Sequence, residues 1–241
     1  MNTIAIDRKD TRMVAHRGVS GLETENTCAA FVAAGNRSYF GIETDIHVTA
    51  DGEFAVIHDD NALRVAGEHV VIEECTMEQL RSVVLFDKDG SKRRRDLRIP
   101  TVEEYIAICK RYDKTPVLEL KNRFRIDDIR RLCERIDAME YLDRVIFISF
   151  WYENLTDLKT LYPDQTAQFL TGARDDMDWL IGELADKGID IDIQWGGVNE
   201  EFMAKCKAAG LKVNCWTVDH PDDAGRLIAL GVDFITSNIL E

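Results

Sequence analysis

The chain has 241 residues, 45% of them hydrophobic and 31% charged, and a formal net charge of −14 at neutral pH. That length supports one sizeable core, an α/β barrel included, and leaves little room for a second full domain. The acidic balance argues against nucleic acid or an anionic membrane surface as the main partner, because both call for a basic face. An anionic small-molecule substrate would need a local cluster of positive charge.

No run reaches the roughly 18 apolar residues of a membrane helix, so no membrane span is expected. Met1 to Arg12 lacks the apolar centre of a signal peptide, and the expected location is the cytoplasm. The six cysteines, Cys28, Cys75, Cys109, Cys133, Cys206 and Cys215, are scattered with no CxxC pair. That pattern suits reduced, buried thiols rather than a disulfide frame or a zinc site.

In chain order, Met13-Val14-Ala15 is a short apolar strand that delivers His16-Arg17-Gly18. After a polar loop, Val19 to Glu25, either Asn26 or Thr27 caps a helix whose apolar face includes Ala30, Phe31 and Ala34 and which closes at Gly35. The next strand, Gly41 to Ile46, carries Glu43 and Asp45. Residues two apart on a strand face the same side, about 6.7 Å apart along the chain, so both carboxylates can converge on one ion. Thr49-Ala50-Asp51-Gly52 reads as a tight turn. It returns the chain through Phe54 to Ile57 as a hairpin and carries His58-Asp59 back toward the carboxylates.

From Asp60 to about Arg98 the pattern changes. Thr76 to Val84 predicts a short helix and Asp87 to Arg98 is dense in charge, so this stretch is expected as an insertion over one end of the domain, with Arg93-Arg94-Arg95 in a solvated loop. Regular alternation then resumes. Helices are predicted from Thr101 to about Tyr112 and over 127–139, 153–161, 178–187, 200–209 and 221–230. Strands are predicted over 116–121, 144–150, 167–171, 189–194, 212–218 and 233–236. With the Phe54–Ile57 return counted as a hairpin extension, eight core strands alternate with helices, which implies a parallel sheet closed into a (β/α)8 barrel. The last helix is missing, and Met1 to Arg12 is the segment left to cover the gap.

Taken singly, each polar signal has a bland reading. A histidine at a strand end is usually a hydrogen-bonded structural residue, a carboxylate pair is common on a strand, and Glu119 with Lys121 fits a salt bridge inside a barrel. In a barrel of this order, however, they all fall at the same carboxyl-terminal face, on strands one to three, where such folds place their chemistry. Glu43, Asp45 and Glu119 then form a candidate site for one hard divalent cation, Mg2+ or Ca2+. Trp216 is a candidate aromatic wall of the mouth and equally a core tryptophan. Gln168, Gln194 and Trp195 read better as packing or loop residues, His47 and His69 as surface or structural residues, and His220 as a helix-start residue. Asp59 reads as the orienter of a neighbour or of a backbone group.

His16-Arg17-Gly18, Glu25-Asn26-Thr27 with Ala30-Phe31, Glu43-x-Asp45, Thr49-x-Asp51-Gly52, His58-Asp59, Glu119-x-Lys121 and Trp216-Thr217 together resemble the glycerophosphodiester phosphodiesterase family. The likeness runs from about Met13 to Asn238. It implies a (β/α)8 barrel with a small insertion after the His-Asp pair and a divalent metal on Glu43, Asp45 and Glu119. It also implies His16 and His58 as the acid/base pair and Arg17 and Lys121 on the phosphate. The implied substrate is a glycerophosphodiester, cleaved to glycerol 3-phosphate and an alcohol such as choline or ethanolamine, with the glycerol hydroxyl attacking first to give a cyclic phosphate. Three carboxylates, a dication and two basic side chains would leave the site near about +1, a match for a singly charged diester. Thr24 stands where a proline commonly precedes the Glu-Asn-Thr motif, which bears on loop shape rather than chemistry. Two alternatives stay open: a barrel that binds a phospho-ligand without turnover, and a phospholipase D-like enzyme acting on lysophospholipids, which would need an apolar channel beside the mouth.

Overall fold

A computed structural model of the chain describes residues 2–241. Its strands are β1 (Arg12–Ala15), β2 (Gly41–Val48), β3 (Phe54–Val56), β4 (Thr115–Leu120), β5 (Ile146–Ser149), β6 (Thr166–Thr171), β7 (Asp190–Gln194), β8 (Val213–Trp216) and β9 (Phe234–Ser237). All but β3 run parallel in the order β1, β2, β4, β5, β6, β7, β8, β9, and β9 pairs back with β1 to close a (β/α)8 barrel. β3 lies antiparallel on β2, with Ile46 opposite Val56 and Val48 opposite Phe54. The turn between them depends on Gly52 at φ +77° and on Thr49, whose hydroxyl accepts from the Glu53 amide at 2.9 Å. The hairpin extension and the eight-strand closure are therefore as the sequence pattern predicts.

The helices follow their own local signals. α1 (Cys28–Gly35) is capped by Thr27, which accepts from the Ala30 amide, and not by Asn26. Within the stretch after β3 lie α2 (Leu63–Ala66) and α3 (Met77–Ser82), the latter opened by a reciprocal Thr76–Gln79 cap. α4 (Val102–Arg111) starts with the same device from Thr101 and Glu104 and ends on Lys110 and Arg111, charges that complement the helix dipole at both ends. α5 (Ile126–Ala138) buries Ile129, Leu132, Cys133 and Ile136, the spacing of one helix face. α6 (Tyr152–Leu161), α7 (Met177–Lys187), α8 (Glu200–Ala208) and α9 (Pro221–Leu230) complete the outer ring. No helix among the described residues is long and apolar enough to cross a membrane.

Three apolar bodies hold this frame. The largest joins the barrel's outer face to the helices through side chains such as Phe31, Ile42, Tyr105, Phe147 and Leu155. A smaller one, with Val14, Val117, Ile146, Ile148, Leu170 and Phe234, packs together from strands around the barrel. The third belongs to the stretch between β3 and α4, where Ile57, Ile72, Leu80, Leu97 and Ile99 form a core of their own. The insertion is thus a folded unit rather than a loose loop. In its arginine run Arg93 and Arg95 are exposed, and Arg94 reaches Glu23 at 2.7 Å and Asp96 at 2.8 Å. The run lies in a solvated loop as expected, with Arg94 tied to the loop after β1 through Glu23.

Beyond β9, the described residues of the two ends of the chain pair with each other. Ile4 pairs in parallel with Leu240, and the Glu241 amide donates to the Ile4 carbonyl at 2.9 Å. Leu240 is fully buried, and Ile6 and Ile239 pack on the main core. The amino-terminal segment expected to cover the opening does so together with the last residues; Met1 itself lies outside the described residues.

Candidate active site and metal centre

Strand alternation turns every second side chain of β2 toward the barrel axis, and the register sets Asp45 beside Glu119 of β4. Glu43, Asp45 and Glu119 are 3%, 1% and 7% exposed. One ligand oxygen from each lies within 4.8 Å of the others. Three carboxylates this close and this dry cannot all carry charge without compensation. Burial, and then repulsion from Asp45, holds Glu43 well above the usual carboxylate range and pushes Glu119 up to about 8. Burial works in the same direction on Asp45, but Lys121 and Arg17 overcome it and hold that carboxyl far below its ordinary value.

The two cations are placed for this. Lys121 Nζ is 2.9 Å from Glu119 Oε1 and 3.4 Å from Asp45 Oδ1. Arg17 Nε lies 3.5 Å from Asp45 Oδ2, and the Arg17 amide donates to Glu43 Oε2 at 2.7 Å. Asn26, at φ +52°, donates to Asp45 Oδ2 at 2.8 Å and accepts from the Thr44 hydroxyl at 2.7 Å. Glu119 Oε1 takes no aligned hydrogen bond despite the nearby lysine. A set of oxygen donors that is buried, convergent and short of positive charge fits a hard divalent cation.

Two imidazoles flank the cluster. His16, just past β1, sets Nδ1 2.8 Å from Asn238 Oδ1, while Asn238 Nδ2 donates to Asp219 Oδ2 at 2.6 Å. The amide oxygen is thereby the acceptor, Nδ1 carries the proton, and Nε2, 4.0 Å from Glu43 Oε2, presents a lone pair to the site. Burial, helped by Arg17, lowers the pKa of His16. His58, past β3, sets Nδ1 2.7 Å from Asp59 Oδ1. Its pKa is also lowered, first by burial, with Asp45 opposing. Asp59 orients His58, as the sequence reading of a neighbour-orienting residue has it.

Behind these groups runs a chain of charge that the sequence reading misses. Arg64 of α2 contacts Asp59 at 2.7 and 3.1 Å and Glu25 twice at 2.8 Å. Glu25 in turn accepts from Arg17 at 2.8 Å. Burial would raise Asp59, but Arg64 and His58 hold it at about 2. Glu25 is visible in the Glu-Asn-Thr motif; nothing in the insertion marks Arg64.

A cavity of about 110 Å³ opens among His16, Arg17, Glu43, His58 and Glu119. One side of it is apolar, made by Ile148, Phe150, Leu170 and Trp216, with the Phe150 and Trp216 rings edge to face at 5.6 Å. Trp216 therefore lines the mouth, its Nε1 donating to the Asp192 carbonyl at 3.3 Å, and its peptide bond to Thr217 is cis. The other candidates lie elsewhere. Gln168 is packed inside the barrel against Asn214, Gln194 accepts from the Gly196 amide, and Trp195 packs on the main core. His47 is buried, 3.3 Å from the His58 carbonyl; His69 is exposed, and His220 caps α9. A larger groove of about 650 Å³ between α8 and α9 offers no set of three converging ligand groups among the described residues.

The sequence profile of the glycerophosphoryl diester phosphodiesterase family matches residues 16–240. A glycerophosphodiester phosphodiesterase of Caldanaerobacter subterraneus subsp. tengcongensis is 30% identical over 230 residues, covering 95% of this chain and 94% of that protein. One from Bacillus altitudinis is 29% identical, covering 93% of each. A phosphodiesterase of Oleispira antarctica, solved with its product sn-glycerol-3-phosphate, superposes with a TM-score of 0.85 at 25% identity, over 94% of this chain and 92% of that one. The chain is thus a member of the glycerophosphoryl diester phosphodiesterase family, a family of phosphoric diester hydrolases.

Proposed function

We propose that this chain hydrolyses glycerophosphodiesters to glycerol 3-phosphate and an alcohol, with a divalent cation, Mg2+ or Ca2+, on Glu43, Asp45 and Glu119. The observation that carries the reading is the meeting of three buried carboxylates between two imidazoles, each tied at Nδ1 and open at Nε2. The product bound in the Oleispira antarctica relative supports the same substrate class. The reading takes the chain as one barrel domain with a small insertion at about residues 60–98. A cytoplasmic setting is part of it, supported by six free cysteines.

A divalent cation held by Glu43, Asp45 and Glu119 would supply Lewis acidity for the phosphoryl chemistry. Arg17 and Lys121 clamp the non-bridging oxygens. We assign His16 as first base, because its Nδ1 partner is a neutral amide oxygen and Arg17 disfavours its cation. His58 is the first acid, because its Nδ1 faces the carboxylate of Asp59, which opposes without outweighing the burial that lowers its pKa, whereas His16 has only a neutral amide oxygen there. A glycerol hydroxyl gives its proton to His16 Nε2 as its oxygen bonds to phosphorus. The bond to the other alcohol breaks, and His58 gives that oxygen a proton. Water then opens the cyclic phosphate with the roles reversed, His58 taking the proton of water and His16 returning one to glycerol.

The test is turnover of glycerophosphocholine and glycerophosphoethanolamine, with chelator and with Mg2+ or Ca2+ added back. Release of glycerol 3-phosphate that stops with chelation and returns with metal is expected. Binding without product under either metal would leave a phospho-ligand-binding barrel instead. A second reading, action on lysophospholipids, draws on the apolar wall, which Phe150 and Trp151 carry out to the surface at 48% and 45% exposure. Including a lysophospholipid in the same panel decides between the two.

A further inference from the structure

His47 stands two residues beyond Asp45 on β2, so strand alternation gives it the face that carries Glu43 and Asp45. It is fully buried and takes no part in the chemistry above. Its Nε2 lies 3.3 Å from the His58 carbonyl oxygen, and its Nδ1 3.2 Å from Oε1 of Glu73, in the short 3-10 turn Ile72–Glu74 of the insertion. A carbonyl oxygen only accepts, so Nε2 is the donor in the first of these. No other hydrogen bond reaches the His58 carbonyl among the described residues. Asn122, next to Lys121, closes the group. Its Nδ2 stands 3.5 Å from His47 Nδ1 and donates to Glu73 Oε1 at 2.8 Å and to Asp60 Oδ1 at 3.2 Å. The chain leaving β3 is thus held at the His58 carbonyl, at the Asp60 side chain, and at the Ile57 amide, which donates to the Asp45 carbonyl at 3.0 Å.

We infer that His47 is a positioning residue for the reaction: through the carbonyl of His58 it fixes where that imidazole stands beside the carboxylates, and Glu73 and Asn122 hold His47 in turn. This rests on the hydrolase reading above, with His58 as first acid. The side chain of His58 is steered from the insertion, by Asp59 and Arg64. Its main chain is pinned from the barrel, by His47. Burying an imidazole costs stability unless both nitrogens find partners, a demand that a leucine of similar volume does not make. Both are partnered here, and both partners belong to the segment after β3 rather than to the barrel. The side chain therefore joins the strand that carries Glu43 and Asp45 to the loop that carries His58. Misplacing a reacting group by about 1 Å costs on the order of 100-fold in rate, so a link of this kind bears directly on turnover.

The experiment compares kcat on glycerophosphocholine with kcat for release of p-nitrophenol from the p-nitrophenyl ester of glycerol 3-phosphate, in the native protein, His47→Leu and His47→Gln. Nitrophenolate leaves without a proton, so a displaced His58 harms the first reaction and spares the second. His47→Leu should lose ~10- to 100-fold on glycerophosphocholine and little on the nitrophenyl ester, with KM near native. His47→Gln, whose amide can donate to the same carbonyl, should regain most of the loss. A fall by the same factor on both substrates would overturn the inference, since that describes a packing defect, and so would native rates on both. Glu73→Ala alters a side chain that is 43% exposed and should lose less, in the same direction. If the leucine variant fails to fold, a native ratio of the two rates in Glu73→Ala overturns the inference in its place. Each of these failures leaves the hydrolase reading standing; no product from either substrate with the native protein overturns both.

Discussion

Arg64 grips Asp59 with two nitrogens, at 2.7 and 3.1 Å, from a helix that belongs to the insertion and not to the barrel. The same guanidinium holds Glu25, the partner of Arg17, so one residue steadies both the imidazole of His58 and the Arg17 side chain. Arg64→Ala should lower kcat by roughly tenfold through misplacement of these groups. Arg64→Lys should recover little, because an ammonium cannot span two carboxylates as a planar fork does. Steady-state kinetics on both variants decides the matter; native kcat in Arg64→Ala would refute the positioning role.

The two histidines should separate by leaving group. His16→Ala and His58→Ala should each lose roughly 10²- to 10⁴-fold in kcat on glycerophosphocholine. On a p-nitrophenyl ester of glycerol 3-phosphate, whose leaving group departs without a proton, His58→Ala should recover most of its loss and His16→Ala should not. Recovery in the opposite variant would exchange the assigned roles.

Metal should stabilise the fold more strongly as pH rises. In the ion-free protein Glu119 titrates near 8, far above its unfolded value, so it folds with a proton that the unfolded chain has released. A raised carboxyl of this kind costs nothing below its unfolded pKa and costs progressively more as pH climbs from about 4.5 towards 8. Thermal melts at pH 5 and pH 8, with chelator and with Mg2+ or Ca2+, should show a larger gain in Tm from the ion at pH 8. Equal gains at the two values would count against a cation on these carboxylates.

Asn26 should matter for metal affinity rather than for chemistry. Its amide fixes Asp45 Oδ2, and loss of such a supporting hydrogen bond typically costs roughly 10- to 100-fold in affinity. Asn26→Ala should therefore need more metal for half-maximal rate. A metal titration of activity that superposes on the native curve would exclude the role.

The barrel and its carboxylate cluster were legible because strand periodicity converts a local spacing into a direction. Glu43 and Asp45 are two apart, and Glu119 falls on the neighbouring parallel strand, so their meeting needed only the strand order. The supporting groups had no such signal. His16 finds Asn238 across 222 residues and Arg64 finds Glu25 across 39, contacts that depend on how the closed barrel and the insertion settle. Asp192 lies in the run Ile189 to Gln194, where alternating acids suggest a half-exposed strand; burial against Asn214 emerges only from the register of β7 with β8. The ion pair of Arg94 was not legible for a related reason, since its partner Glu23 lies far upstream, in the loop after β1.

The cavity is dry and polar at Asp192 and wet and apolar at Phe150. Molecules that share one half and differ in the other would all be read by the half they share. On the hydrolase reading proposed above, a single polypeptide of this shape would draw one common pool of glycerol 3-phosphate from a mixture of head groups, each discarded into water.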